Sequence, residues 1–206
     1  MSFRVLFVIG FALLFGVSLY PTESWAMNTV TDNEVTSANN TVSNPDQSDY
    51  RSLVRYVTIY HPGITKETAG AVCTQIIRQS QRYDMDPKLL GALISLESGF
   101  YPKALGRGGA GGLGQLMPGT ARRLGVHNRF DIEQNVAGTA CYLSGMLNVW
   151  RKSDAKIALA LASYNRGAEP IIRAKGQLNR RTKQYVNAVM ARYEKIQRLY
   201  AMELKE

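Results

Sequence analysis

The sequence predicts a mainly α fold with one globular domain, and three observations carry that prediction. Apolar residues recur at three- and four-residue intervals along most of the chain after residue 50, no apolar–polar alternation of strand length is visible, and 45% of the 206 residues are apolar. The apolar content excludes a wholly disordered chain. Two cysteines are too few for a disulfide-built scaffold, and with two histidines they cannot complete a tetrahedral zinc site without carboxylates.

The N-terminus reads as an export signal. Arg4 precedes an uncharged apolar run of 16 residues, Val5 to Tyr20, followed by Pro21 and then Ser24-Trp25-Ala26, with small residues at the −3 and −1 positions of a signal-peptidase site. Residues 1–26 are therefore expected to be a signal peptide cleaved after Ala26, leading to a periplasmic location. An uncleaved membrane anchor is the alternative, and either exports the domain. Residues 27–49 are rich in Asn, Thr, Ser and Asp with few large apolar side chains, which predicts a flexible polar linker and places the domain at 50–206. From Tyr50 onward, 24 Lys and Arg face 11 Asp and Glu, a positive surplus of 13, so an anionic partner is expected. Nucleic acid is excluded as that partner by the export signal and by the lack of any nucleic-acid-binding motif.

The helices follow from local signals. A stripe of Ala69, Val72, Cys73, Ile76, Ile77 and Ser80 predicts a helix over about 65–83. Asp86 as N-cap, Pro87 at the first helical position and Gly99 as a stop bracket a second helix carrying Leu89, Leu90, Leu93, Ile94 and Leu96. Further helices are expected at about 118–124, 133–150, 154–165 and 182–202. Between the second and third lies Gly106 to Gly114, a loop with six glycines in nine residues.

Glu97 ends the second helix on the side of Leu90 and Leu93, so its carboxyl points with the apolar stripe. Desolvation there disfavours the ionised form and suits a general acid working near neutral pH. It is the only acid between Pro87 and Phe130. The adjoining loop matches the dinucleotide-binding spacing in Gly106-Arg107-Gly108-Gly109-Ala110-Gly111, but a helix rather than a strand precedes it, and Gln115 stands where a phosphate-binding loop has lysine. Both nucleotide readings are rejected.

Four segments in order resemble the successive motifs of one family: Glu97-Ser98-Gly99-Phe100, Gly109 through Ala121, Ala160-Leu161-Ala162-Ser163-Tyr164-Asn165-Arg166-Gly167, and Tyr185-Val186. They are similar to the soluble-lytic-transglycosylase (SLT) catalytic domain of bacterial peptidoglycan-cleaving enzymes, and the likeness covers roughly residues 66–200, including Glu133-Gln134-Asn135-Val136. The resemblance implies a lysozyme-like α-helical domain with a groove for the glycan strand. It implies non-hydrolytic cleavage of the bond between N-acetylmuramic acid (MurNAc) and N-acetylglucosamine (GlcNAc), with Glu97 as acid and then base. It implies no metal and no organic cofactor. Gln115, Met117, Tyr164 and Asn165 become substrate-binding candidates, and Tyr185 a partner that positions Glu97. A hydrolytic muramidase using the same glutamate, and a non-catalytic peptidoglycan-binding module, are the alternatives. A two-carboxylate mechanism would need Asp131 or Glu133, the nearest downstream acids.

Two positions depart from the family pattern. Gly106 stands where serine is usual and Gly114 where methionine is common, which predicts a barer and more mobile loop. Cys73 and Cys141, both in the exported part, are candidates for a disulfide. A small transglycosylase domain with a leader also resembles enzymes that open the wall for a secretion, conjugation or pilus apparatus, although general wall turnover fits equally.

Overall fold

The computed structural model describes residues 44–205. Eight α-helices lie among them: α1 (Asn44–Tyr60), α2 (Lys66–Arg82), α3 (Pro87–Ser98), α4 (Pro118–Arg123), α5 (Ile132–Val149), α6 (Lys156–Arg166), α7 (Ala168–Arg173) and α8 (Arg180–Glu203). The described residues contain no extended strand. Two isolated antiparallel bridges, Leu105 with Gly111 and Gly111 with Leu116, fold the glycine-rich segment back on itself. The mainly α expectation holds.

α3 is the central helix. It packs against α1, α2 and α8, and its residues Leu89 to Ser95 are all buried. Its start and stop are those the sequence predicts: Asp86 accepts the Lys88 amide, Pro87 occupies the first turn, and Gly99 closes the helix in the left-handed conformation at φ 60°. Phe100 follows at φ 64°, an uncommon conformation for a bulky residue, and is fully buried against the His61 ring. The chain thus turns sharply just after Glu97. The predicted stripe of α2 is buried throughout, and Thr65, Asp131 and Asn179 cap α2, α5 and α8 by accepting backbone amides.

Two expectations are corrected, and one helix is added to those expected. The segment assigned to the linker is helical from Asn44, and α1 was not foreseen as an element. Its Leu53, Tyr56 and Val57 enter the core at helical spacing. Asp49, nominally linker, pairs with Lys88 of α3 at 2.7 Å, with both side chains largely buried. Leu53 fits because Gly91 has no side chain, a Cβ there falling 2.5 Å from Leu53 Cδ2. The added element, α7, is a six-residue helix that no periodic signal announced. The second correction is that Cys73 and Cys141 are both free thiols. Cys73 points into the core from α2, where burial pushes its pKa up to about 12, while Cys141 is half-buried and its pKa is raised by that burial. The apolar run at 5–20 and the cleavage site at Ala26 lie outside the described residues. Among those described, no helix is long and apolar enough to cross a membrane.

Leu53→Ala is expected to cost about 3 kcal/mol in urea denaturation, as for a fully buried leucine. A linker position would cost almost nothing.

Candidate active site

The site begins with Glu97 in the last turn of α3. Burial raises its pKa above the ordinary carboxylate value, and the opposing influence is one hydrogen bond, from the Tyr185 hydroxyl of α8 to Oε1. Tyr185 and Tyr164 are themselves pushed well above the usual phenol range, first by burial and then by the negative charge of Glu97. All three groups therefore share one poorly solvated region.

Two further carboxylates were candidates for a partner to Glu97, and both are occupied elsewhere. Asp131 accepts the Gln134 amide as the N-cap of α5. Glu133 is 64% exposed and lies 3.8 Å from Arg78.

The glycine-rich loop forms the next layer, shaped mainly by side chains from outside it. Asn135 of α5, nearly fully buried, accepts the Gly114 amide on Oδ1 at 2.8 Å and donates through Nδ2 to the carbonyls of Gly111 and Arg129. Arg129 donates to the carbonyls of Gly109 and Leu116. The Tyr164 hydroxyl donates to the Gly114 carbonyl at 2.7 Å.

These contacts overturn the expectation of a bare, mobile loop. A Cβ at Gly114 would fall 1.9 Å from Thr139 Oγ1, and one at Gly106 would fall 2.1 Å from Gln115 Oε1. The space that the two missing side chains leave is already filled, by Thr139 at one position and by Gln115 at the other. At Gly112, with φ 76°, a Cβ would strike the Arg129 carbonyl at 1.9 Å, so that glycine answers to both conformation and space.

Gln115, Met117, Tyr164 and Asn165 come together lining an open cleft of about 260 Å³. Met117 and Asn165 are exposed there. Gln115 holds an unusual φ of 49° and donates its amide to the carbonyls of Ala104 and Gly112, so its Nε2 braces the loop. Tyr164 likewise commits its O–H to a hydrogen bond with the Gly114 carbonyl, which leaves it an acceptor toward any ligand. Glu97 and Tyr185 are not among the residues lining this cleft. Tyr164 links the two parts, lining the cleft while sensing the charge of Glu97.

Sequence reasoning named no role for Thr139, Arg129 or the Tyr56–Ser95–His61 group. In that group the Ser95 hydroxyl meets Tyr56 Oη at 3.0 Å and His61 Nε2 at 2.9 Å, two residues before Glu97. Burial, and then Arg192, lowers the pKa of His61. One available signal was polar Asn135 and Thr139 placed four residues apart among apolar neighbours, a helix face that must satisfy buried polar groups.

A buried carboxyl with a raised pKa, linked through Tyr164 to an open cleft, is an arrangement suited to general-acid chemistry. Residues 74–187 match the family model described as the transglycosylase SLT domain, more than half of the chain, and the protein belongs to that family. Among its relatives is a protein named transglycosylase from Enterobacteria phage PRD1, 36% identical over 60% of this chain and 41% of its own length. Another is membrane-bound lytic murein transglycosylase F of Shewanella woodyi, 40% identical over 50% of this chain and 23% of its own. The chain thus spans less than half the length of either relative. In fold it resembles the lytic transglycosylase Slt from Pseudomonas aeruginosa, solved as an inactive glutamate-to-glutamine mutant, with a TM-score of 0.51 and 23% identity over 64% of this chain and 24% of that one.

Gly114→Ala is expected to cost about 2 kcal/mol, because the helix-borne Thr139 cannot withdraw. Gly106→Ser should cost less than about 1 kcal/mol, because the obstructing atom ends a flexible side chain. Chemical denaturation of the two variants checks the contrast.

Proposed function

We propose that this protein is a peptidoglycan lytic transglycosylase that cleaves the β-1,4 bond from MurNAc to GlcNAc without water, leaving 1,6-anhydro-MurNAc ends. The observation that carries the proposal is the buried Glu97 carboxyl with the Tyr185 hydroxyl as its donor, in a chain of the SLT family. Glu97 starts protonated, which its raised pKa favours, and gives its proton to the glycosidic oxygen as the bond to GlcNAc breaks. The oxocarbenium centre at C1 is stabilised by the substrate's own N-acetyl group, a recognised alternative to a second carboxylate. The Glu97 carboxylate, held by Tyr185, then takes the proton of the MurNAc C6 hydroxyl, whose oxygen closes onto C1. The proton lost in the first step is recovered in the second. Engagement of Asp131 and Glu133 elsewhere favours this one-acid route over a two-carboxylate mechanism, and the product ends distinguish it from a hydrolytic muramidase that uses the same glutamate.

Gln115, Met117, Tyr164 and Asn165 are the proposed substrate contacts, with Met117 and Asn165 the most exposed and Gln115 acting chiefly through the loop it braces. Export behind a signal peptide cleaved after Ala26 is part of the proposal, supported by the apolar run at 5–20 and the small residues Ser24 and Ala26, while relatives named as membrane-bound murein enzymes support export in general. Local wall opening for a secretion, conjugation or pilus apparatus is a narrower form of the same proposal.

Mass spectrometry of muropeptides released from purified peptidoglycan tests the reaction. Anhydro ends are expected from the protein, with release falling by about 10³-fold in Glu97→Gln. Reducing ends that depend on Glu97 would establish a hydrolase, and no release would leave the non-catalytic module.

Tyr185→Phe removes the interaction that lowers the Glu97 pKa, so that pKa rises further. The acid form is the one that reacts first, so the alkaline limb of the kcat/KM profile is expected to move to higher pH. kcat should fall by about tenfold or more as the base step loses its support.

A further inference from the structure

Arg166 ends α6 and lines the same cleft as Gln115, Met117, Tyr164 and Asn165. It is the one charged residue among those lining the cleft. Among the described residues no carboxylate lies within ion-pair distance of its guanidinium; most Lys and Arg of this basic domain share that condition, and Arg166 is set apart by its place in the cleft. The rim carries a second cation, since Arg123 of α4 donates to the hydroxyl of Thr120, another cleft residue, at 3.4 Å, and it too has no acidic partner among the described residues. The remaining lining groups are neutral amides, hydroxyls, aromatic rings and aliphatic side chains, which can hold sugar but cannot neutralise a charge.

A guanidinium at the edge of the cleft can donate to the hydroxyls of any sugar, but a carboxylate is its stronger partner, because a planar fork of N–H donors matches a carboxylate in two parallel, charge-assisted hydrogen bonds. We propose that Arg166 is a specificity-determining residue that selects glycan strands bearing carboxylates beside the sugar chain, with Arg123 adding to the positive rim. The inference rests on the transglycosylase reading and deepens it by naming the chemical class of strand preferred. Two sources supply that chemistry: carboxylates of the peptide stem, and the lactyl carboxylate that an amidase exposes on removing the stem.

The test measures binding in the Glu97→Gln background, where strands are not consumed. Dissociation constants are compared for stem-bearing strands, amidase-stripped strands, and each of these after conversion of its carboxylates to neutral amides. Charged strands are expected to bind about 5- to 10-fold more tightly than their amidated forms, with the ratio shrinking at higher salt. Arg166→Gln should bring that ratio close to 1, and Arg166→Lys should restore part of it. Loss of preference for stem-bearing strands alone assigns the stem carboxylates, and loss for stripped strands alone assigns the lactyl group. A ratio near 1 in the starting protein, or one that survives Arg166→Gln, overturns the inference while leaving cleavage untouched. Failure to bind any strand overturns both the inference and the transglycosylase reading beneath it.

Discussion

The feature on which the rest of the site depends is a carboxyl group held away from water with a single phenol for company. Placing Glu97 in the last turn of α3 puts it where burial and the negative pole of the helix both oppose ionisation. Burial alone biases such a group toward its protonated, acid form. The Tyr185 hydroxyl moderates that bias by stabilising the anion. Everything that fixes α8 against α3 therefore bears on the chemistry, including the fully buried Val189 one turn along from Tyr185 and the hydrogen bond from Tyr193 to Asp86 at 2.6 Å.

The glycine-rich loop obeys a different constraint. With few side chains of its own it cannot pack itself, so α5 and α6 supply its shape through Asn135, Thr139 and Tyr164. Asn135 commits both its amide donor and its acceptor to this task. Burying such a group is costly unless every bond is made, and the structure makes them.

Much of this was legible in the sequence because the signals were local. The cap at Asp86, the stop at Gly99 and the stripe of α2 are statements made within one or two turns of chain. The order of the motifs also brought Glu97 and Tyr185 together across 88 residues. What was hidden depends on contacts distant in sequence. α1 begins in a polar stretch and is held by Asp49 reaching Lys88, 39 residues away. Thr139 fills the space beside Gly114, which composition alone cannot disclose, so the loop read as bare. The two cysteines suggested a bridge by number and compartment, but number does not say which way a thiol points. Cys73 belongs to the core stripe.

The filled positions beside Gly106 and Gly114 have a consequence for how this chain can vary. At Gly114 the absent side chain and the Thr139 that occupies its place form a lock of two parts, and neither can grow unless the other recedes, whereas the flexible end of Gln115 beside Gly106 can swing aside. Drift at Gly114 must therefore proceed through paired replacements, each crossing an intermediate that is either overfilled or hollow. A chain that has settled on one arrangement has a barrier against exchanging it for the other, even where the two would serve the same cleft equally well.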